Sequence, residues 1–374
     1  MSLTIFPLLA NPVFSAELTK ENISDYILEP MPGWYSERFT RGHLDINKML
    51  KSGYTRLEAI EVQNQMKDLL DNDLVYQQLE KTLETYEMFK KKDQYIIQAL
   101  KLAIKSVKEK KYIESGFVPE KLKDNEFYVV FDLDETLLVQ WYESGEKGSK
   151  FYDIKTDVKD NILRPTLLSP NYVSLTPGFE KTLKDIVKIP GNKGIIFFSA
   201  KLDPATNAII DKMTIDGKPI RSFLKGLFTR NFLVREQEPP KLSKDLRIFD
   251  ESLKHVIIID DNPTRILDKQ KKYLREIPKY NPDEYLKAKS NNKDISDYFE
   301  KILPVIVDEI KEAADYSSKN KISFSEAYYP YTMDASSELL MLMSQGFSNK
   351  SAIARIRKDS KIFEPKFYSY EEKE

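Results

Sequence analysis

Residues 127–140, FYVVFDLDETLLVQ, run from an unbroken apolar stretch into two aspartates set two positions apart. FYVVF has the aromatic and β-branched content, and the lack of polar alternation, of a strand buried on both faces. Residues i and i+2 of a strand point the same way, so Asp132 and Asp134 would crowd one side of its end. Carboxylates that close repel each other and are costly to bury. The rest of the chain must therefore bring positive charge to this point.

Four more apolar runs follow: GIIFF (194–198), GLFTRNFLV (226–234), VIIID (256–260) and LREIPKY (274–280), with helical stretches between them. This alternation predicts an α/β domain, a mostly parallel sheet flanked by helices. Ligands in such folds lie beyond the carboxyl ends of the strands. The first run ends in Asp132, Asp134 and Thr136, the second in Ser199, Ala200 and Lys201, and the fourth in Asp260 and Asp261. Lys244 stands in a Lys-Asp-Leu triplet ahead of that fourth run.

Four carboxylates in one crevice call for a divalent cation, and a hard, oxygen-ligated Mg²⁺ suits them. Such an ion draws a phosphate dianion and lessens its repulsion from an attacking carboxylate. The parts then define a chemistry. Asp132 is the expected nucleophile, forming an aspartyl-phosphate, and Asp134 the expected proton carrier. Ser199 and Lys244 are expected to hold phosphate oxygens as charge shifts in the transition state.

Composition narrows the alternatives. The 374 residues are 41% hydrophobic and 31% charged with a net charge of −1, which suits a folded chain and gives no global field for nucleic acid. There is no cysteine, so disulfides, thiol nucleophiles and cysteine-ligated zinc are excluded. Of the two histidines, His255 precedes VIIID as a strand-entry residue, and His43 has no motif around it. Nothing in the composition defines an oligomeric state.

Residues 2–16, SLTIFPLLANPVFSA, are uncharged, mostly apolar and too short to span a bilayer, so no stable membrane insertion is expected. Two readings stay open for residues 1–19. They are either a remnant signal segment without its basic leader, implying a periplasmic or secreted protein, or an ordinary apolar segment of a cytoplasmic one. Residues 20–118 read as a helical region, with a Thr55/Glu58 capping box and apolar spacing through Val75, Leu79, Leu83 and Ile96, Leu100, Ile104. The α/β domain is expected over 119–315, with an insertion at 138–175 rich in turn formers. A helix over 295–315 would contain Pro304. A C-terminal helical extension is expected over 316–374, one helix stopping at Gly346.

Taken in order, DLDET, FFSA, KDL and IIIDDNP resemble the four motifs of the haloacid dehalogenase superfamily. DxDET followed by a short excursion and YVSLTPGF is similar to the FCP/SCP-type, or NLI-interacting-factor-like, phosphatases. The resemblance covers roughly 122–313 and implies a Rossmannoid sheet with a small insertion between the first two motifs. It implies Mg²⁺ on Asp132, the backbone carbonyl of Asp134 and Asp260, with Asp261 contributing through water. Thr136 and Ala200 join Ser199 and Lys244 as phosphate-binding residues. The resemblance also implies action on phosphoserine or phosphothreonine in proteins. A small phosphate ester is the alternative substrate, while a non-catalytic binding module and a phosphotransferase or phosphonatase are the other readings of the same motifs.

Overall fold

The computed structural model describes residues 46–57, 59, 115–141, 153–156, 171–201, 206, 209–237, 240–291 and 293–359. The chain divides into two compact units, Met1–Tyr112 and Ile113–Glu374. In the first, helix α1 (Ile46–Lys51) is described. Most of the helical pattern expected over 20–118, Glu58 of the capping box, His43 and the 2–16 segment lie outside the described residues. No described helix is long and apolar enough to cross a membrane.

The second unit is built on a five-stranded sheet of β1 (Phe127–Phe131), β5 (Asn192–Phe198), β8 (Leu224–Phe228), β11 (Val256–Asp260) and β12 (Leu274–Glu276). The spatial order is β12-β11-β1-β5-β8, and every pairing is parallel. The strand that carries the paired aspartates is therefore central, bonded to β11 on one side and β5 on the other.

β1 and β11 are buried at every position, which is why their sequences show no polar alternation. The two faces of the sheet are packed differently. Phe127, Val129 and Phe131 join an aliphatic core with α2 (Phe179–Ile186), α4 (Lys293–Asn320) and α5 (Phe324–Tyr328). Tyr128, from the alternate register, meets Phe117 edge-on, and Phe117 meets Phe228 and Phe249 in the same way.

Between β1 and α2 the insertion forms a separate antiparallel sheet of β2 (Leu138–Trp141), β3 (Ile154–Thr156) and β4 (Asn171–Leu175), in the order β2-β4-β3. The rest of the insertion lies outside the described residues. Two antiparallel pairs complete the strands: β6 (Thr214–Ile215) with β7 (Lys218–Pro219), and β9 (Val234–Gln237) with β10 (Pro240–Ser243).

The run expected as one strand over 226–234 is broken. β8 ends at Phe228, a 3₁₀ turn covers Arg230–Phe232, and β9 leaves the main sheet to pair with β10. The apolar content persists across the break because Phe232 and Leu233 are buried without belonging to the main sheet. The run expected over 274–280 is strand only to Glu276; Pro278, two residues on, cannot donate to a ladder.

Helix α3 (Pro282–Asn291) precedes α4, which runs for 28 residues with Pro304 inside it. Leu303, Ile306, Val307 and Ile310 of α4 are buried at helical spacing, so packing offsets the backbone bond that proline removes. Gly178, at φ +82°, brings the start of α2 beside Pro304, whose Cδ would lie 3.8 Å from a Cβ at that position. Residues 316–359 share the second unit. α5 opens with a Ser323/Glu326 capping box, and α6 (Met333–Ser344) stops before Gly346 at φ +92°. α7 (Asn349–Asp359) is tied back by Arg357 to Glu312 of α4 and to the Ala327 carbonyl.

Candidate active site

Parallel pairing sets the ends of β1, β5 and β11 at one edge of the sheet. Asp132 follows β1, its amide donating to Ile259 O at 2.9 Å, so β1 and β11 stay in register to the edge. Asp260 ends β11, and its Oδ1 accepts from the Asn262 amide at 2.7 Å. Lys244 follows β10, held by its own amide on Arg265 O at 2.7 Å. Its ammonium lies 2.5 Å from Asp132 Oδ1 and 2.7 Å from Asp260 Oδ2.

Asp132, Asp260 and Asp261 each offer an oxygen within 4.8 Å of the others, and all three residues are buried. Burial raises the Asp132 carboxyl well above the ordinary carboxylate range; Lys244 pulls it down, while Asp260 and Asp134 push it further up. Burial opposes the Lys244 charge, but Asp132 and Asp260 outweigh it and its pKa is raised. Burial also raises Asp261, with Thr136 acting against it.

Thr136 is fully buried and bonded in both senses to the third acid. Its Oγ1 donates to Asp261 Oδ1 at 2.9 Å and accepts from the Asp261 amide at 3.1 Å. Its carbonyl accepts from Thr176 Oγ1 at 2.8 Å. The turn from Asp134 to Leu138 is tight: Glu135 takes φ +61°, and its carbonyl accepts from the Tyr280 amide at 2.7 Å. Lys279 pairs with Glu135 Oε2 at 2.5 Å and comes within 3.6 Å of Asp261 Oδ2.

The Asp134 carboxylate is not part of the three-acid group and faces the end of β5. Ser199 Oγ donates to its Oδ2 at 3.1 Å, and the Lys201 ammonium donates to its Oδ1. The Lys201 ammonium also bonds Gln140 Oε1 of β2. Ala200 is half-buried, its carbonyl 3.4 Å from Arg230 Nη1. Of the residues singled out from sequence, Asp132, Asp260, Asp261, Lys244 and Thr136 thus form one cluster, with Asp134 and Ser199 in a second beside it.

His255 lies at the other end of the strand, its Nδ1 3.0 Å from Glu126 O and its amide on Asp250 Oδ2 at 2.8 Å. It joins the starts of β1 and β11, far from the acids. Lys201, Gln140 and Lys279 were not assigned roles by sequence reasoning. Lys201 stands directly after Ser199–Ala200 and was visible as a basic residue at a strand end. Gln140 and Lys279 carry no pattern that marks them.

The parallel sheet, the small insertion and this strand-end constellation define a phosphatase of the haloacid dehalogenase type. Residues 127–311 match the model of the NLI interacting factor-like phosphatases, and this domain is of that FCP/SCP-like type. Among solved structures the chain is similar to a variant of fission yeast RNA polymerase II CTD phosphatase Fcp1 bound to beryllium fluoride. The identity is 15% over 54% of this chain and 69% of that one, with a TM-score of 0.32. It is also similar to Fcp1 described as an essential RNA polymerase II CTD phosphatase, 13% identical over 63% of this chain and 64% of that one, with a TM-score of 0.30. No curated protein matches the chain.

Proposed function

We propose that this phosphatase is a Mg²⁺-dependent phosphomonoesterase that works through an aspartyl-phosphate on Asp132. The observation that carries the reading is the buried group of Asp132, Asp260 and Asp261, the first two paired with the buried Lys244. Three buried carboxylates exceed the charge of the one buried ammonium among them, Lys244, and of the exposed Lys279 at 3.6 Å from Asp261; all their donors are hard oxygens, which fits a divalent cation such as Mg²⁺. Asp132 and Asp260 would hold the ion with the Asp134 carbonyl, and Asp261 would take part through water. When bound, the ion supplies Lewis-acid polarisation of a phosphate oxygen and relief of charge repulsion.

The chain's own residues carry the steps. Asp132 Oδ attacks phosphorus while the bond to the leaving oxygen breaks, and Asp134 gives that oxygen its proton. In the second half, Asp134 takes a proton from water as the water oxygen bonds phosphorus and the bond to Asp132 breaks. Lys244 and Ser199 bind the equatorial oxygens, with the Ala200 backbone and Thr136 completing the cradle.

For substrate we favour a phosphoserine or phosphothreonine side chain on a protein. The 138–175 insertion is shorter than a typical domain and could not form a separate closing one, which suits a side chain presented by a large molecule. A small phosphate ester is the second reading, since a site without a separate closing domain admits both.

Hydrolysis of an aryl phosphate tests the mechanism: it should require Mg²⁺ and fall by more than about 10³-fold in Asp132→Asn. Activity that survives in this variant would overturn the assignment of the nucleophile. A panel of phosphopeptides against sugar, nucleotide and amino-acid phosphates tests the substrate. A preference for small esters above roughly a hundredfold, about 2.7 kcal/mol, would sink the protein reading.

A further inference from the structure

Lys201 is the second ammonium at this strand edge, and nothing in the mechanism above uses it. Its Nζ reaches Asp134 Oδ1 and Gln140 Oε1, while its own amide donates to Ser199 Oγ at 3.0 Å. Ser199 in turn donates to Asp134 Oδ2. Each carboxylate oxygen of Asp134 therefore has its own donor, and both donors come from one dipeptide-spaced pair at the end of β5. The Lys201 carbonyl accepts from the Arg230 amide at 2.8 Å, which fixes the backbone that carries this clamp.

Gln140 adds a third fixed point. It belongs to β2, so Lys201 ties the end of β5 to the antiparallel sheet of the insertion as well as to the β1 turn. Beside Asp134 and Lys201 lies a cavity of about 10 Å³ whose lining also includes Leu133, Leu138, Thr206 and Ile209. Both side chains are partly open to water, the lysine 29% and the aspartate 31% exposed, so what the lysine adds is a fixed orientation.

We infer that Lys201 is a positioning residue that fixes the Asp134 carboxylate for proton exchange with the leaving and attacking oxygens, Ser199 sharing that task only until its one O–H turns to the phosphate. The inference rests on the reading of Asp134 as the acid/base. With Oδ1 held by Lys201 the carboxylate keeps one orientation and Oδ2 is left to carry the proton, and general acid catalysis depends on orientation towards the leaving atom. The effect should be largest where the leaving group most needs a proton.

The test compares p-nitrophenyl phosphate, whose phenolate leaves without a proton, with O-phosphoserine, whose alkoxide does not. Parent, Lys201→Met, Lys201→Arg and Asp134→Asn full-length chains are assayed with Mg²⁺, with thermal melts to confirm folding. We expect Lys201→Met to lose about tenfold more kcat on O-phosphoserine than on the aryl ester, with KM little changed. Lys201→Arg should recover most of that difference.

An equal loss on both esters would show a structural ion pair only and overturn the inference. So would a gain on the alkyl ester, which would show that the lysine hinders the proton exchange. Asp134→Asn is the separate check on the underlying reading. If it shows no difference between the esters, the acid/base assignment fails; if it shows the difference and Lys201→Met does not, only the role of Lys201 fails.

Discussion

Lys244 and Asp132 meet with 2.5 Å between ammonium and carboxylate, the lysine side chain 1% and the aspartate 9% exposed. The same ammonium reaches Asp260, itself 1% exposed. An ion pair this deep gains little against apolar packing but is expensive to break on one side.

Lys244→Met should therefore destabilise the fold by about 3–5 kcal/mol, because it strands two buried carboxylates. Urea denaturation would measure the loss. Saturating Mg²⁺ should raise the melting temperature of the variant more than that of the parent; an equal rise in both would argue against a cation site at these acids.

Thr136→Val keeps the shape of the side chain but removes both bonds to Asp261. We expect a loss of about 2 kcal/mol by denaturant melt. A variant as stable as the parent would mean that the Thr136–Asp261 pair does not hold the two strand ends together.

The docking of α7 should depend on acid. Burial opposes ionisation of Glu312, but bonds from Arg357 and Tyr331 outweigh it and hold the carboxyl below its ordinary value. A depressed folded value means that the stability is complete above the unfolded value, about 4.3, and is lost as pH falls through the folded one. The melting temperature of the parent should drop more steeply below about pH 4 than that of Arg357→Met. Parallel pH profiles would contradict the coupling.

Ser323→Ala removes the acceptor for the Glu326 amide, 3.3 Å away, at the start of α5. The expected cost is about 1 kcal/mol. Because Phe324 stacks on Phe127 of β1 at 3.6 Å between ring centroids, amide exchange in β1 should quicken along with that in α5. Exchange confined to α5 would show the two elements to be uncoupled.

β1 and β11 were legible because a strand covered on both faces is apolar along its length, as FYVVF is and as VIIID is up to its final aspartate. The acids at their ends stood out against that background. β8 was read too long, since Phe232 and Leu233 are buried in a turn and apolarity marks burial rather than pairing. The insertion sheet was not legible: β3 is three residues long, and β2 pairs with β4 from Leu138 to Leu175, across most of the insertion. The partners of Asp134 were hidden for a related reason. Lys201 reaches it by a long side chain across a strand gap, and no local pattern records that reach.

The central place of β1 has a consequence for how the molecule is made. As the chain emerges during synthesis, FYVVF appears early, yet its neighbours are encoded from residue 192 and from residue 256. Until both have been made, an apolar strand with two open edges waits for partners, the kind of segment that self-associates. The pairings are non-local and parallel, which makes their formation slow. Asp132, at the tip of that strand, will not meet Lys244 until most of the domain has left the ribosome.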